Sequence, residues 1–224
     1  MKYKNKSIQI SCDGGAATGK STGAKLLSKK YNLKFLSSGL LYRYASYLIL
    51  KNKPKSNIFF LKKAFKNLNY KKIDRLNLHD PKISEYTAKI AKVRKIRDIL
   101  KKFQVSFSKK YKKCCIEGRD ISTKILPNSD VKFFFKCDLN IASKRRYNDL
   151  KKRKANIKLK EVKKALRMRN FLDTKRKNSP LLKHRDSVEI DTGKLDKKAM
   201  LRIMSKSVEG ILKKKYGNKT RIKK

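Results

Sequence analysis

Tryptophan is absent from this 224-residue chain, and proline (four), glycine (nine) and cysteine (four) are sparse. Acidic residues are scarce too: 17 stand against 64 lysines and arginines, a net charge of +47. No apolar run approaches the length of a membrane-spanning helix, and the N-terminus lacks the apolar core of a secretory signal. Cysteines 12, 114, 115 and 137 show no C-x-x-C spacing, and His79 and His184 are too distant in sequence to suggest a zinc cluster. Each cysteine lies in or at the end of an apolar, strand-like run, so all four read as small buried hydrophobes in a reducing compartment. There is no internal repeat. A soluble, cytoplasmic protein is expected, with no membrane partner.

So large a positive charge invites a polyanion partner, RNA or DNA. Two features pull against it. Most of the basic residues are lysine, and they are spread along the chain rather than grouped on one segment. Abundant Lys, Asn and Ile beside absent Trp also match an AT-biased genome. Codon bias and a selected surface both stay open here; either way, weak non-specific nucleic-acid binding at low salt is expected. The 39% hydrophobic content is low, but at this length it suffices for one α/β domain with a real core.

The most informative stretch is Ser7 to Thr22. An apolar run, Ile8 to Cys12, breaks at Asp13-Gly14-Gly15 and meets a helix-compatible run from Lys20. Within it Gly14, Gly19, Lys20 and Ser21 satisfy G-x-x-x-x-G-K-[ST], the phosphate-binding loop. The candidate nucleotide-binding residues are therefore Gly14, Gly15, Ala16, Ala17, Thr18, Gly19, Lys20, Ser21 and Thr22. Small residues let backbone N–H groups turn inward around an anion, and the following helix directs its positive end there. Lys20 reaches the terminal phosphates and the Ser21 hydroxyl can ligate Mg²⁺. ATP and Mg²⁺ are the expected cofactors.

Further along, strands are expected at Leu33–Leu36, Cys114–Ile116, Val131–Lys136 and Val188–Asp191, the third buried on both faces. Helices are expected at Gly23–Tyr31, Leu40–Lys51, Ile58–Leu68, Asn140 to about Lys154 and Leu195–Tyr216. The longest is Ser84–Lys112, with a stripe of Ile90, Val93, Ile96, Ile99, Leu100 and Phe103. Asn69–Pro81 reads as irregular, with room for one short strand at Ile73–Leu78. The charged stretch 151–186 holds a helical piece around Val162, Leu166 and Met168, and the basic tail 217–224 is expected to fray. Alternating strands and helices imply a parallel sheet covered on both faces.

Three later segments carry a family resemblance. Ser38-Gly39-Leu40-Leu41-Tyr42-Arg43 resembles the S-G-x-x-Y-R segment of bacterial cytidylate kinases, and Glu117-Gly118-Arg119-Asp120-Ile121 their D-G-R-D-[IM] motif. Arg169-x-x-x-Asp173-x-x-Arg176-x-x-x-Pro180-Leu181 is similar to their lid sequence, and Asp191-Thr192 to a D-[ST] after the last strand. The resemblance runs from about residue 7 to 210 with the motifs in family order. It implies the phosphate-loop nucleoside monophosphate kinase fold: α/β, a five-stranded parallel sheet flanked by helices, with monophosphate-binding and lid subregions. The single kinase domain would divide into a core (1–52, 98–150, 184–216), a monophosphate-binding region (53–97), a lid (151–183) and the tail.

The implied reaction is ATP + CMP (or dCMP) giving ADP + CDP, in a monomer. The resemblance assigns Lys20, Arg119 and Arg176 to catalysis, and Arg43, Arg119 and Arg176 to the acceptor phosphate. Asp120 and Arg97 would read cytosine, Arg169 and Asp173 hold the ribose, and Ser38, Gly39 and Tyr42 shape the pocket. Arg145 and Arg146 would lie near ATP. Taken one at a time, the same residues also fit plainer roles: Arg43 and Arg97 as surface helix residues, Arg119-Asp120 as a structural ion pair, Tyr42 as packing, and Arg169, Asp173 and Arg176 as a solvated helix face. The chain departs from the family at Glu117, Ser37 and Asn170, each where an aspartate is usual, and at Ala88, where a serine is usual. The rival activities are a related kinase acting on UMP or shikimate, and a nucleic-acid-associated phosphate-loop ATPase.

Overall fold

β1 (Ile8–Gly14) is buried at every position but Gln9, because it runs through the middle of a sheet. The computed structural model that shows this describes residues 6–78, 80–152 and 157–217. β1 pairs in parallel with β3 (Lys113–Gly118) on one side and β4 (Val131–Lys136) on the other, Ile10 facing Cys115 and Val131. β2 (Lys34–Ser37) lies beyond β3 and β5 (Val188–Asp191) beyond β4, giving the order β2-β3-β1-β4-β5. On one face α1 (Lys20–Tyr31) and α8 (Lys197–Tyr216) close a core that includes Ile10, Leu27, Phe133, Phe135 and Val208. A second cluster joins Ala16 to Ala142 on α6 (Leu139–Lys152) and to Val162 and Leu166 on α7 (Leu159–Lys175). In such a sheet the crevice opens at the carboxyl end of the strand flanked by both directions of winding. Here that strand is β1, and Gly14 stands at its end.

The chain separates into two compact units, residues 1–36 with 111–224, and residues 37–110. The second is helical: α2 (Ser38–Asn52), α3 (Asn57–Lys66), a 3₁₀ turn (Tyr70–Arg75), α4 (Pro81–Ile90) and α5 (Arg94–Lys110). α2 packs on α4 and α3 on α5. A buried hydrogen bond between the Ser46 and Thr87 hydroxyls, 3.0 Å, ties α2 to α4, and the rings of Tyr44, Phe65 and Phe103 meet edge to face.

The structure corrects several expectations. The predicted helix Ser84–Lys112 is two helices, broken at residues 91–93, with Val93 42% exposed. Ile90 and Ile96 remain buried on either side, so the apolar spacing survives the break that it fails to announce. α4 starts early because Asp80 Oδ1 accepts from Lys82 N at 2.7 Å, with Pro81 in the first turn. Residues 73–78 form no strand; Ile73 and Leu78 are buried from the 3₁₀ turn and the chain after it. β4 is fully buried on one face only: Val131, Phe133 and Phe135 enter the core under α1 and α8, while Lys132 and Phe134 on the other face are half-buried. Met168 is exposed although Val162 and Leu166 on the same helix are buried. The expected end of a helix at Lys154, His79 and the tail 218–224 lie outside the described residues.

Cys12, Cys114 and Cys115 are buried free thiols and Cys137 is half-buried. Burial pushes Cys12 well up and Cys114 to about 12, so both are neutral packing groups. Among the described residues no helix is long and apolar enough to cross a membrane.

Candidate active site

The loop from β1 to α1 has the geometry its sequence demands. Gly19 sits at φ 77°, a left-handed conformation that a side chain resists, and it starts α1. Thr18 Oγ1 donates to Gly15 O at 3.0 Å and Lys20 Nζ to the same carbonyl at 3.1 Å, drawing the loop into a closed turn. Lys20 is buried, with the Glu117 carboxylate 3.8 Å from its amine. Burial above all, then the Arg119 charge and more weakly that of Arg169, lower Lys20 to about 7 against the opposing pull of Glu117 and Asp173. A cation held among other cations is one that gains from a bound anion. On the loop's other side Ala16 N–H donates to Asn170 Oδ1 of α7 at 2.9 Å.

A cavity of about 690 Å³ opens beside the loop, lined by Ala17 to Thr22 together with Arg145, Asn148, Thr192 and Met200. Arg145 donates to Thr192 O at 2.8 Å and Oγ1 at 3.0 Å, and Thr192 Oγ1 donates to Thr18 O at 2.9 Å. Thr192, directly after β5, thus braces both the loop and the arginine. Arg146, next on α6, places its charge near Arg169.

Arg119, Asp120, Arg169, Asp173 and Arg176 come together at the end of β3 and along α7. Arg119 Nε donates to Asp173 Oδ2 at 2.8 Å, while Asp173 Oδ1 lies 3.3 Å from Arg176 Nη1. Arg176 Nη2 stands 3.9 Å from Asp120 Oδ1. Arg176 is not on the helix face: it caps α7's end with extended backbone, and its Nε donates to Ser179 O at 2.5 Å. Burial acts to raise Asp173, but Arg119, Arg169 and Arg176 together hold it below the ordinary carboxylate range. Burial and the Arg119 charge lower Arg169 to about 10, leaving it cationic at neutral pH. A solvated helix face does not describe this group, since the side chains of Arg119, Asp173 and Arg176 are only 15%, 16% and 11% exposed. Half-buried guanidiniums gathered by a single carboxylate are suited to gripping a phosphate by paired hydrogen bonds.

Three participants are not legible as such in the sequence. Glu117 stands out there only as a departure from a motif, yet it is the carboxylate beside Lys20. Asn170 stands out only as a lid substitution, and it contacts the loop directly. Asp13, which reads as part of a strand break, is a fully buried carboxylate that burial raises to about 6. Its place directly before Gly14 is the available signal.

In the helical unit, Ser38 and Gly39 open α2, and Ser37 Oγ caps it by accepting from Leu40 N at 3.2 Å. Arg43 is buried and donates from Nη1 to Leu78 O at 2.9 Å and to Ser84 Oγ at 2.7 Å. Arg97 is also buried; it donates to Ala91 O at 3.2 Å, and its guanidinium lies 5.6 Å from the centre of the Tyr42 ring. Neither arginine is a surface residue. Ala88 is exposed on α4.

Comparison with known proteins decides the family. The family model described as cytidylate kinase matches residues 10–210. This chain belongs to the cytidylate kinase family. A protein named cytidylate kinase from Fusobacterium nucleatum is 34% identical over 219 residues, covering 91% of this chain and 98% of the relative. Another, from Clostridium tetani, is 32% identical over 225 residues, covering 96% and 99%. Among solved structures, an uncharacterized protein from Eubacterium ventriosum matches with a TM-score of 0.53 at 16% identity, covering 90% of this chain and 98% of its own. That last likeness shows the fold alone. As a member of a kinase family the chain is a transferase acting on nucleotides, on a five-stranded parallel sheet flanked by helices.

Proposed function

We propose that the chain transfers the terminal phosphoryl group of ATP to CMP, giving ADP and CDP, and that dCMP is a second acceptor. Family membership supports the reaction. The observation carrying the mechanism is the group of half-buried guanidiniums around Asp173, close enough to Lys20 for Arg119 and Arg169 to depress its pKa. The loop Gly14–Thr22 takes the phosphates of ATP, with Arg145 and Arg146 on the nucleotide side. Mg²⁺ fits the loop's chemistry: Ser21, in the first turn of α1, lines the cavity, and its hydroxyl is a hard oxygen donor. When bound, the ion supplies neutralising charge to the β and γ oxygens.

Arg43, Arg119 and Arg176 grip the acceptor phosphate, and Arg169 and Asp173 hold the ribose. Ser38, Gly39 and Tyr42 shape the acceptor pocket. An acceptor phosphate oxygen attacks the γ-phosphorus; the bond to the β-phosphate oxygen breaks and ADP leaves with that electron pair. The nucleophile is already ionised, so no general base is needed, and alignment with charge neutralisation does the catalytic work. Lys20, Arg119 and Arg176 supply that charge. Asp120 accepts from the cytosine amino group, with Arg97 beside the base, whereas uracil would turn an oxygen toward the carboxylate. The enzyme acts as a cytoplasmic monomer without a specific nucleic-acid partner.

The test is product analysis. ATP and CMP incubated with enzyme and Mg²⁺ should yield CDP and ADP in equal amounts. ADP formed with free phosphate and no CDP would refute the reading.

A further inference from the structure

Asp13 stands near the end of β1, fully buried, opposite Gly118 in the ladder with β3. Its carboxylate accepts three hydrogen bonds from one turn. Oδ1 takes the Ile121 N–H at 2.8 Å; Oδ2 takes the Ser122 N–H at 2.7 Å and the Ser122 hydroxyl at 2.6 Å. Ile121 and Ser122 begin the π-helical turn Ile121–Ile125, which directly follows Arg119-Asp120. The first amides of a helical turn need an acceptor, and the residue just before usually provides it from its own side chain. Here that residue is Asp120, one of the types best suited to the task. Its side chain makes no capping bond; it stands 3.9 Å from Arg176 instead. The cap comes from another strand, 108 positions earlier in the chain.

We propose that Asp13 is a positioning residue: by capping this turn in place of Asp120, it commits the Asp120 carboxylate to the acceptor base and fixes Arg119 on the acceptor phosphate. The inference rests on the roles given to Asp120 and Arg119 above. It also explains why a buried carboxylate is worth keeping beside the phosphate loop. Asp13 is bonded covalently to Gly14 and by hydrogen bonds to the acceptor-binding turn, so one residue sets the spacing of donor and acceptor. Phosphoryl transfer is sensitive to that spacing at the ångström level. The turn is a π-helix, a form that recurs at functional sites where a side chain is redirected.

The test compares Asp13→Asn, Ser122→Ala and Asp120→Ala. Asp13→Asn keeps the shape but sets an NH₂ group against donors; it should raise KM for CMP at least about tenfold while ATP affinity stays within about threefold. The ratio of CMP to UMP activity should fall by roughly tenfold as well, because Asp120 becomes available to cap the turn. Ser122→Ala removes one bond of the three, should move both quantities in the same direction by about three- to fivefold, and serves if Asp13→Asn does not fold. ATP affinity falling in step with CMP, or neither quantity changing, overturns the proposal. Amide hydrogen exchange at Ile121 and Ser122 supplies a readout independent of substrate and should accelerate at least about tenfold in Asp13→Asn; unchanged exchange also overturns it. If Asp120→Ala leaves the CMP to UMP ratio intact, the reading of Asp120 fails, and Asp13 is judged on KM for CMP and on the exchange rates alone.

Discussion

Arg119 donates from Nε to Asp173 Oδ2 at 2.8 Å, and the other oxygen of that carboxylate lies 3.3 Å from Arg176 Nη1. One acid from α7 thereby holds an arginine from the end of β3 and an arginine beyond the helix, two cations that would otherwise repel. A hydrogen bond to a charged, mostly buried partner is worth about 2 kcal/mol. Asp173→Asn should accordingly lower kcat/KM for CMP by roughly 30-fold. Steady-state kinetics decide the point; a loss under about threefold would mean that the arginines hold their places without the carboxylate.

Asn170 takes up a backbone donor of the loop. Its Oδ1 accepts the Ala16 N–H at 2.9 Å, and a phosphate cradled there needs the same donor. A neutral hydrogen bond contributes about 1 kcal/mol, so Asn170→Ala should tighten ATP binding by roughly fivefold. Titration calorimetry would read it, with AMP, which lacks the β and γ phosphates, as the control expected to show no change. Weaker ATP binding in the variant would place Asn170 on the nucleotide rather than against it.

Lys20, lowered to about 7 by burial and by the Arg119 charge, gives ATP binding a pH signature. Above that value the amine is mostly neutral, and the anionic phosphates favour its charged form. The site must therefore take up a proton on binding ATP, at pH values above about 7 and below the ordinary lysine value of about 10.4. Calorimetry at pH 8 in buffers of different ionisation enthalpy should show net uptake that vanishes in Lys20→Met. Proton release, or uptake that persists in the variant, contradicts the assignment.

Packing beneath the loop yields a stability prediction. A Cβ at Gly23 would meet two ring atoms of Phe135 at 2.9 Å and the Met200 sulfur at 3.2 Å. Alanine normally gains up to about 1 kcal/mol over glycine within a helix, but overpacking costs about 1–3 kcal/mol. Phe135 is almost wholly buried and fixed on β4, so the clash wins. Gly23→Ala should lower Tm by about 2–6 °C; a rise would show that the ring gives way at no cost.

The phosphate loop is legible in the sequence because its chemistry is contiguous: Gly14 to Ser21 carry donors, turn and cation in eight neighbouring positions. All five strands are legible as well, though β5, Val188-Glu189-Ile190-Asp191, alternates apolar and acidic residues rather than forming an apolar run. The break at residues 91–93 is not, because Ile90, Val93 and Ile96 recur at three-residue steps across it. The roles proposed for Arg119 and Arg176 follow from family motifs alone, since 57 positions separate them and no periodicity links them. Asp13 and Asn170 are hidden for the same physical reason. Their partners, Ser122 and Ala16, lie 109 and 154 positions away, and spacing in sequence carries no trace of such contacts.

The central claim, that this loop and its arginines serve a cytidine monophosphate acceptor, is tested most directly by coupled ADP release with CMP, dCMP, UMP, AMP, shikimate and RNA in parallel. The account predicts kcat/KM for CMP at least about tenfold above that for UMP, dCMP also accepted, and no stimulation by RNA. ATP turnover stimulated by RNA with CMP inert, or shikimate preferred over every nucleotide, would contradict it.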